Sequence, residues 1–106
     1  MDIRQLRYFS EIVNAKSFTR AADRVRVAQP ALGLQIRKLE EELGVSLLHR
    51  HSRGVEPTEA GTVLLRHATA ILKQVEQARR EVTDLSGPPR GEITLGITPT
   101  ASALLA

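Results

Sequence analysis

With 106 residues, 42% of them hydrophobic and 25% charged, the chain can bury one modest core and not two, which excludes the large multi-domain enzymes. It has no cysteine, and Tyr8, Phe9 and Phe18 are its aromatic residues, so disulfide frameworks, thiolate metal sites and cysteine nucleophiles are excluded and a core of Leu, Val, Ile and Ala is expected. The net charge of +3 gathers in the first half, where residues 1–57 hold ten Lys or Arg against seven Asp or Glu, an asymmetry that points to an acidic partner.

Asp2 followed by Gln5 has the pattern of a capping box, and Ile3, Leu6, Phe9 and Val13 recur after it at helical spacing. A first helix over about 3–14 is predicted. Ser17 can accept from the free amides of a following turn, and Phe18, Ala21, Ala22 and Val25 then mark a short helix over about 18–25. Pro30 suits a first helical turn and Gly44 a left-handed terminus, so a third helix is predicted over about 30–43. On a wheel, Leu32, Ile36, Leu39 and Leu43 fall on one buried stripe. The opposite face carries Pro30, Leu34, Arg37 and Glu41, flanked by Gly33 and Lys38. Two helices joined by a tight turn through Arg26, Val27, Ala28 and Gln29 form the helix-turn-helix pattern, here over about 18–37. Between Lys16 and Lys38 lie six basic residues and one acid, Asp23, before Glu40, Glu41 and Glu42 close the patch with an acidic edge. Double-stranded DNA is the expected partner.

From Val45 to Glu56, two short apolar segments flank a polar turn ending in Gly54, the pattern of a small hairpin or wing. Arg50 and Arg53 are placed at its tip, where positive side chains can meet phosphates or enter a minor groove. His49 and His51 lack a third ligand nearby in sequence, so no metal site is expected.

From Thr58 to Leu85 there is no proline, and a helix of that length would run roughly 42 Å at 1.5 Å per residue. Leu64, Ala68, Ile71, Val75, Ala78, Val82 and Leu85 are spaced alternately four and three apart, a seven-residue repeat that asks for a partner helix. A second stripe of Gly61, Leu65, Ala68 and Leu72 can lie on the preceding helices. Ser86 to Gly91 then reads as a hinge. Glu92 to Ile97 alternates like a strand, and a lone strand without sheet partners reads as the first strand of a domain cut away. No apolar run reaches the roughly 18 residues of a membrane span and no signal pattern opens the chain. A soluble, cytoplasmic protein with no membrane partner is expected.

Four stretches stand in an order that identifies a family: Leu6-Arg7-Tyr8-Phe9; Ser17-Phe18-Thr19-Arg20-Ala21-Ala22; Gln29-Pro30-Ala31-Leu32 with Gln35-Ile36 and Leu39-Glu40; and Arg53-Gly54-Val55-Glu56-Pro57-Thr58-Glu59-Ala60-Gly61. Through them the chain resembles, over nearly its full length, the amino-terminal part of LysR-type transcriptional regulators. The Ala28-Gln29-Pro30 run, with Ile97-Thr98-Pro99-Thr100, looks loosely like the nitrogen-assimilation-control branch. The resemblance implies a mainly α fold: a winged helix-turn-helix of three helices and a small β-hairpin wing over 1–58, then a long dimerisation linker helix over 58–86. Residues 87–106 would be a hinge and the first strand of a truncated effector-binding domain. The resemblance also implies a bacterial factor that binds an interrupted palindrome as a homodimer through its linker helix, or as a homotetramer when intact. RNA polymerase is a candidate further partner. No cofactor is expected in these residues, while a small-molecule effector is expected for the intact protein. Carried over by position, the family's DNA-contacting set falls on Gln29, Pro30, Gly33 and Leu34, which would meet bases, with Arg53 of the wing on the backbone or in the minor groove. Three positions depart from the usual pattern. Gly33 stands where a hydroxyl residue is common, Leu34 where a polar or basic one is, and Ala28 where Ser is frequent.

Chemistry assigns roles within that set and to the polar residues around it. The amide of Gln29 can pair with the N7 and N6 groups of adenine, or hydrate a phosphate. Leu34 is either an ordinary exposed leucine or a partner for the methyl of thymine. Arg20, Arg37 and Lys38 are expected on phosphates, and Ser17 and Thr19 can donate to a phosphate near the start of the second helix. The rival from another class is an interaction module that pairs through the 64–85 seam without nucleic acid. An enzyme is a weaker rival, because Glu40, Glu41 and Glu42 point about 100° apart on a helix and there is no Gly-rich phosphate loop or nucleophile-base set.

Overall fold

The computed structural model describes residues 1–86; the expected strand at 92–97 and most of the expected hinge lie outside the described residues. The chain divides into two units, Met1–Val75 and Glu76–Ala106. Three helices open the first unit, α1 (Ile3–Ala15), α2 (Phe18–Val25) and α3 (Gln29–Leu43), followed by strands β1 (Leu48–His51) and β2 (Gly54–Pro57). Helix α4 (Glu59–Ser86) starts in the first unit and supplies the described residues of the second.

Each boundary has a local cause. The Asp2 carboxylate accepts from the Gln5 backbone N–H at 2.8 Å while the Gln5 side-chain Oε1 accepts from the Asp2 N–H at 3.2 Å, the reciprocal capping box. Ser17 Oγ accepts from the Arg20 N–H at 3.1 Å and starts α2. Helix α3 starts at Gln29, one residue before the predicted Pro30, and its cap residue Ala28 makes no side-chain hydrogen bond. The Thr58 hydroxyl accepts from the Gly61 N–H at 3.0 Å and donates to the Ser46 carbonyl at 2.7 Å, so it both caps α4 and ties that helix to the chain leading into the wing. Lys16 and Arg26 close α1 and α2 in the left-handed region at φ 58° and 60°, a conformation that costs a non-glycine residue about 1–2 kcal/mol. Both corners are therefore held by the packing of the helices they join.

The core is formed by one stripe from each of the first three helices: Leu6, Phe9 and Ile12 of α1, Phe18, Ala21 and Ala22 of α2, and Leu32, Ile36 and Leu39 of α3. Leu47 and Val55 seal it from the wing side, and Ala60, Leu64 and Leu65 of α4 pack partly against it. Phe9, Ile12, Leu32, Leu39 and Leu47 are essentially unexposed, and each such side chain stabilises the fold by about 1.5–3 kcal/mol. Gln5 is buried and donates from Nε2 to Gln35 Oε1 at 3.3 Å, a polar link between α1 and α3. The predicted stripe fails at its ends, where Ile3 is 37% and Leu43 38% exposed. A helical wheel gives a direction, not a neighbour, and burial falls off at the first turn of α1 and the last turn of α3.

The wing is an antiparallel pair with Leu48 opposite Pro57, His49 opposite Glu56, Arg50 opposite Val55 and His51 opposite Gly54. The Val55 N–H donates to the Lys16 carbonyl at 3.3 Å, anchoring the hairpin to the α1–α2 corner. Gly54 has φ 136°, and a Cβ there would strike the Lys16 carbonyl oxygen, so this position needs glycine for both conformation and space.

Candidate nucleic-acid interface

Helix α3 presents its sequence-predicted face outward as a consequence of burying Leu32, Ile36 and Leu39. Gln29, Pro30, Leu34, Arg37 and Lys38 are exposed and Gly33 is half-buried. Leu34 is 44% exposed. A Cβ built on Gly33 would meet nothing within 4 Å, and its φ is not positive. No contact inside the chain therefore calls for glycine in the middle of this helix, where it costs about 0.5–1 kcal/mol relative to alanine.

Beside this face lies a groove of about 240 Å³ lined by Phe18, Gly33, Ile36, Arg37, Glu40, Ser46, Leu48 and Arg50. The Arg50 guanidinium carbon stands 3.9 Å from the centroid of the Phe18 ring, a cation–π contact worth about 0.5–1 kcal/mol at an exposed site. Arg50 therefore does not occupy the hairpin tip as predicted. The turn is Ser52-Arg53, which leaves Arg50 within β1, folded back over α2. Arg53 does occupy the turn, and its backbone N–H donates to His51 Nδ1 at 3.2 Å while His51 Nε2 lies 2.8 Å from Glu56 Oε2. Both ring nitrogens of His51 are thus engaged in bracing the turn. Glu40 accepts from the Leu47 N–H at 2.7 Å, so this carboxylate holds the end of α3 to the wing and is not simply part of a solvated acidic edge.

The remaining predicted side chains are placed as follows. Ser17 Oγ is the acceptor in the α2 cap, a bond that does not use its hydroxyl hydrogen. Arg20 is exposed. Thr19 Oγ1 donates to Gln29 Oε1 at 3.1 Å, joining α2 to the first residue of α3. The sequence pattern marked both residues but not their bond, which closes only when the α2–α3 turn is built. Arg24 lies 3.6 Å from Glu11, so the basic run contains one charge facing a partner on α1. Along α4, Leu64 is half-buried against the core, Ala68 is fully buried, Ile71 is 37% exposed, Val75 is half-buried, and Ala78 is exposed. Val82 is 64% and Leu85 84% exposed. Gly61 and Ala68 of the second stripe are buried, with Leu65 and Leu72 half-buried. Ala68 lay on both predicted stripes, and its burial within the chain commits it to the inner one. Among the described residues no three His, Asp or Glu side chains gather at metal-binding distances, and no helix is long and apolar enough to cross a membrane.

Comparison with known proteins agrees with this geometry. Residues 3–62 match the bacterial regulatory helix-turn-helix proteins of the lysR family. The nitrogen assimilation regulatory protein nac of Klebsiella aerogenes is 45% identical over 103 residues, covering 97% of this chain and 34% of its own length. The chain therefore spans about a third of the length of such relatives. The BenM DNA-binding domain in complex with catB site 1 DNA superposes with a TM-score of 0.79 at 41% identity, covering 85% of this chain and 100% of that one; BenM is a transcriptional regulator of Acinetobacter baylyi. The CbnR DNA-binding domain in its DNA complex gives a TM-score of 0.75 at 37% identity, covering 82% of this chain and 100% of that one.

Proposed function

This chain belongs to the lysR family of bacterial regulatory helix-turn-helix proteins, and from that membership we infer that it is the DNA-reading end of a cytoplasmic transcription regulator. The observation that carries the reading is the division of α3. One side is sunk in the core at 0–3% exposure through Leu32, Ile36 and Leu39, while Gln29, Pro30, Leu34, Arg37 and Lys38 stand exposed on the other. That is the arrangement a recognition helix needs to enter a major groove with side chains free to meet base edges. The two solved relatives above were captured on DNA, which favours this reading over an interaction module without nucleic acid. Relatives named as regulators, not as enzymes, agree with a role in transcription and not in catalysis.

The division of labour follows from the chemistry of each group. Gln29, Pro30, Gly33 and Leu34 lie against base edges. Arg20, Arg37 and Lys38 meet phosphates, with Ser17 at the start of α2, because an unfixed charge positions without specifying. Arg53, on the braced turn of the wing, reaches the neighbouring minor groove, whose negative potential favours a guanidinium. Arg50, held over Phe18, meets the backbone between the two grooves. Residues 1–58 form the head and 58–86 the linker, whose seam through Ile71, Val75, Ala78, Val82 and Leu85 pairs with a second copy. Residues 87–106 open an effector-binding domain, through which the intact protein, assembled as a dimer or tetramer, answers a small molecule and acts with RNA polymerase. Selection from a pool of random duplexes tests the reading. The expected product is two related half-sites in inverted orientation at a fixed spacing, and recovery of unrelated sequences would overturn it.

A further inference from the structure

The bond between α2 and α3 that sequence patterns did not show changes the role of Thr19. A threonine hydroxyl has one hydrogen, and a phosphate oxygen only accepts. Thr19 gives that hydrogen to Gln29 Oε1 at 3.1 Å, so it cannot also donate it to the DNA backbone. We propose that Thr19 is a positioning residue that fixes the amide of Gln29 for adenine. This rests on the reading of α3 as the recognition helix.

The consequence for Gln29 can be worked through atom by atom. Its carbonyl oxygen has two lone pairs and its nitrogen two hydrogens. With one lone pair taken by Thr19, Oε1 keeps the other for the exocyclic amine of adenine, while Nε2 donates to N7, the complementary pair on that base edge. Without Thr19 the amide can turn over about its last bond and exchange donor for acceptor, which blurs the distinction between adenine and its competitors. Gln29 is exposed and opens α3 behind a cap residue, Ala28, that makes no side-chain bond. The Thr19 hydroxyl is accordingly the side-chain tether by which α2 holds this amide. Immobilising one flexible side chain before binding changes affinity by about three- to tenfold, and here the change falls on one base pair.

The experiment measures the base preference of the full chain, position by position, on a selected half-site, for the wild type, Thr19→Val, Thr19→Ser, Gln29→Ala and the Thr19→Val/Gln29→Ala double variant. Thr19→Val keeps the shape of an exposed side chain, and thermal melting reports that the fold is retained. The expected result is a loss of preference for adenine at one position by about three- to tenfold in Thr19→Val, restored in Thr19→Ser and absent as a further change in the double variant. Binding to unrelated duplex, and its salt dependence, should stay as in the wild type. A uniform loss on every sequence, repeated in the Gln29→Ala background, would make Thr19 a phosphate contact and overturn the proposal. Unchanged adenine preference in Thr19→Val would overturn it equally. Failure of the wild type to prefer any sequence would instead remove the reading of α3 itself.

Discussion

Replacing Leu34 by alanine isolates the most unusual feature of the recognition face, an apolar side chain at the centre of a basic surface. Leu34 is 44% exposed and follows Gly33, around which a Cβ would find open space. The free protein should therefore lose less than about 0.5 kcal/mol, as expected of an exposed substitution away from special features. On DNA the apolar group available to it in the major groove is the methyl of thymine. Burying one methyl contributes about 0.8 kcal/mol, close to fourfold in affinity. The assay replaces each thymine of a half-site by uracil in turn, which deletes that methyl and leaves the hydrogen-bonding edge intact. One position should weaken wild-type binding about fourfold and have no effect on Leu34→Ala. If no position weakens the wild type, or if the same position weakens both proteins equally, Leu34 does not read thymine.

Two glycines inside helices should answer alanine with opposite signs in a thermal melt. Gly33→Ala should stabilise by about 0.5–1 kcal/mol because its Cβ meets nothing, whereas Gly61→Ala should destabilise by about 1–3 kcal/mol because its Cβ would strike the Leu47 carbonyl oxygen. Val75→Asp places a charge in the seam of α4 and should weaken pairing of two copies by several kcal/mol in order of magnitude; an unchanged dimer in sedimentation would move the interface elsewhere. His51→Ala removes the brace on the wing turn, so footprinting should show minor-groove protection reduced as it is in Arg53→Ala, with base preference in the major groove retained. Full protection in His51→Ala would show that the turn holds Arg53 without the histidine.

The helices were legible because their causes are local. Asp2 with Gln5, Ser17, and Gly44 mark ends, and the apolar stripes carry the helical period, so boundaries fall within a residue or so of the structure. The recognition face followed, since fixing Leu32, Ile36 and Leu39 inward leaves Leu34 and Arg37 outward. What escaped depends on distance through space. Leu43 obeys the period yet lies 38% exposed, because periodicity gives a direction and not the depth of cover at a helix end. Arg50 lies within β1 and not at the tip, because a polar run does not mark which two of its residues turn, and its Phe18 shelf lies on another element. The Thr19–Gln29 bond and the Glu40 link to Leu47 each join chain segments separated by a turn. Ala68 satisfied two stripes at once, and only the packed structure selects between them.

On the proposed reading the basic side of the head meets the phosphates of duplex DNA, and a salt titration reads those contacts. Each neutralised phosphate releases counterions, so affinity must fall steeply as salt rises. If two heads, through Arg20, Arg37, Lys38, Arg50 and Arg53, neutralise about six to ten phosphates, binding of the chain to its selected duplex should weaken about a thousandfold or more between about 50 and 200 mM salt. A response that is nearly flat over the same interval would mean that these basic side chains do not hold the phosphates.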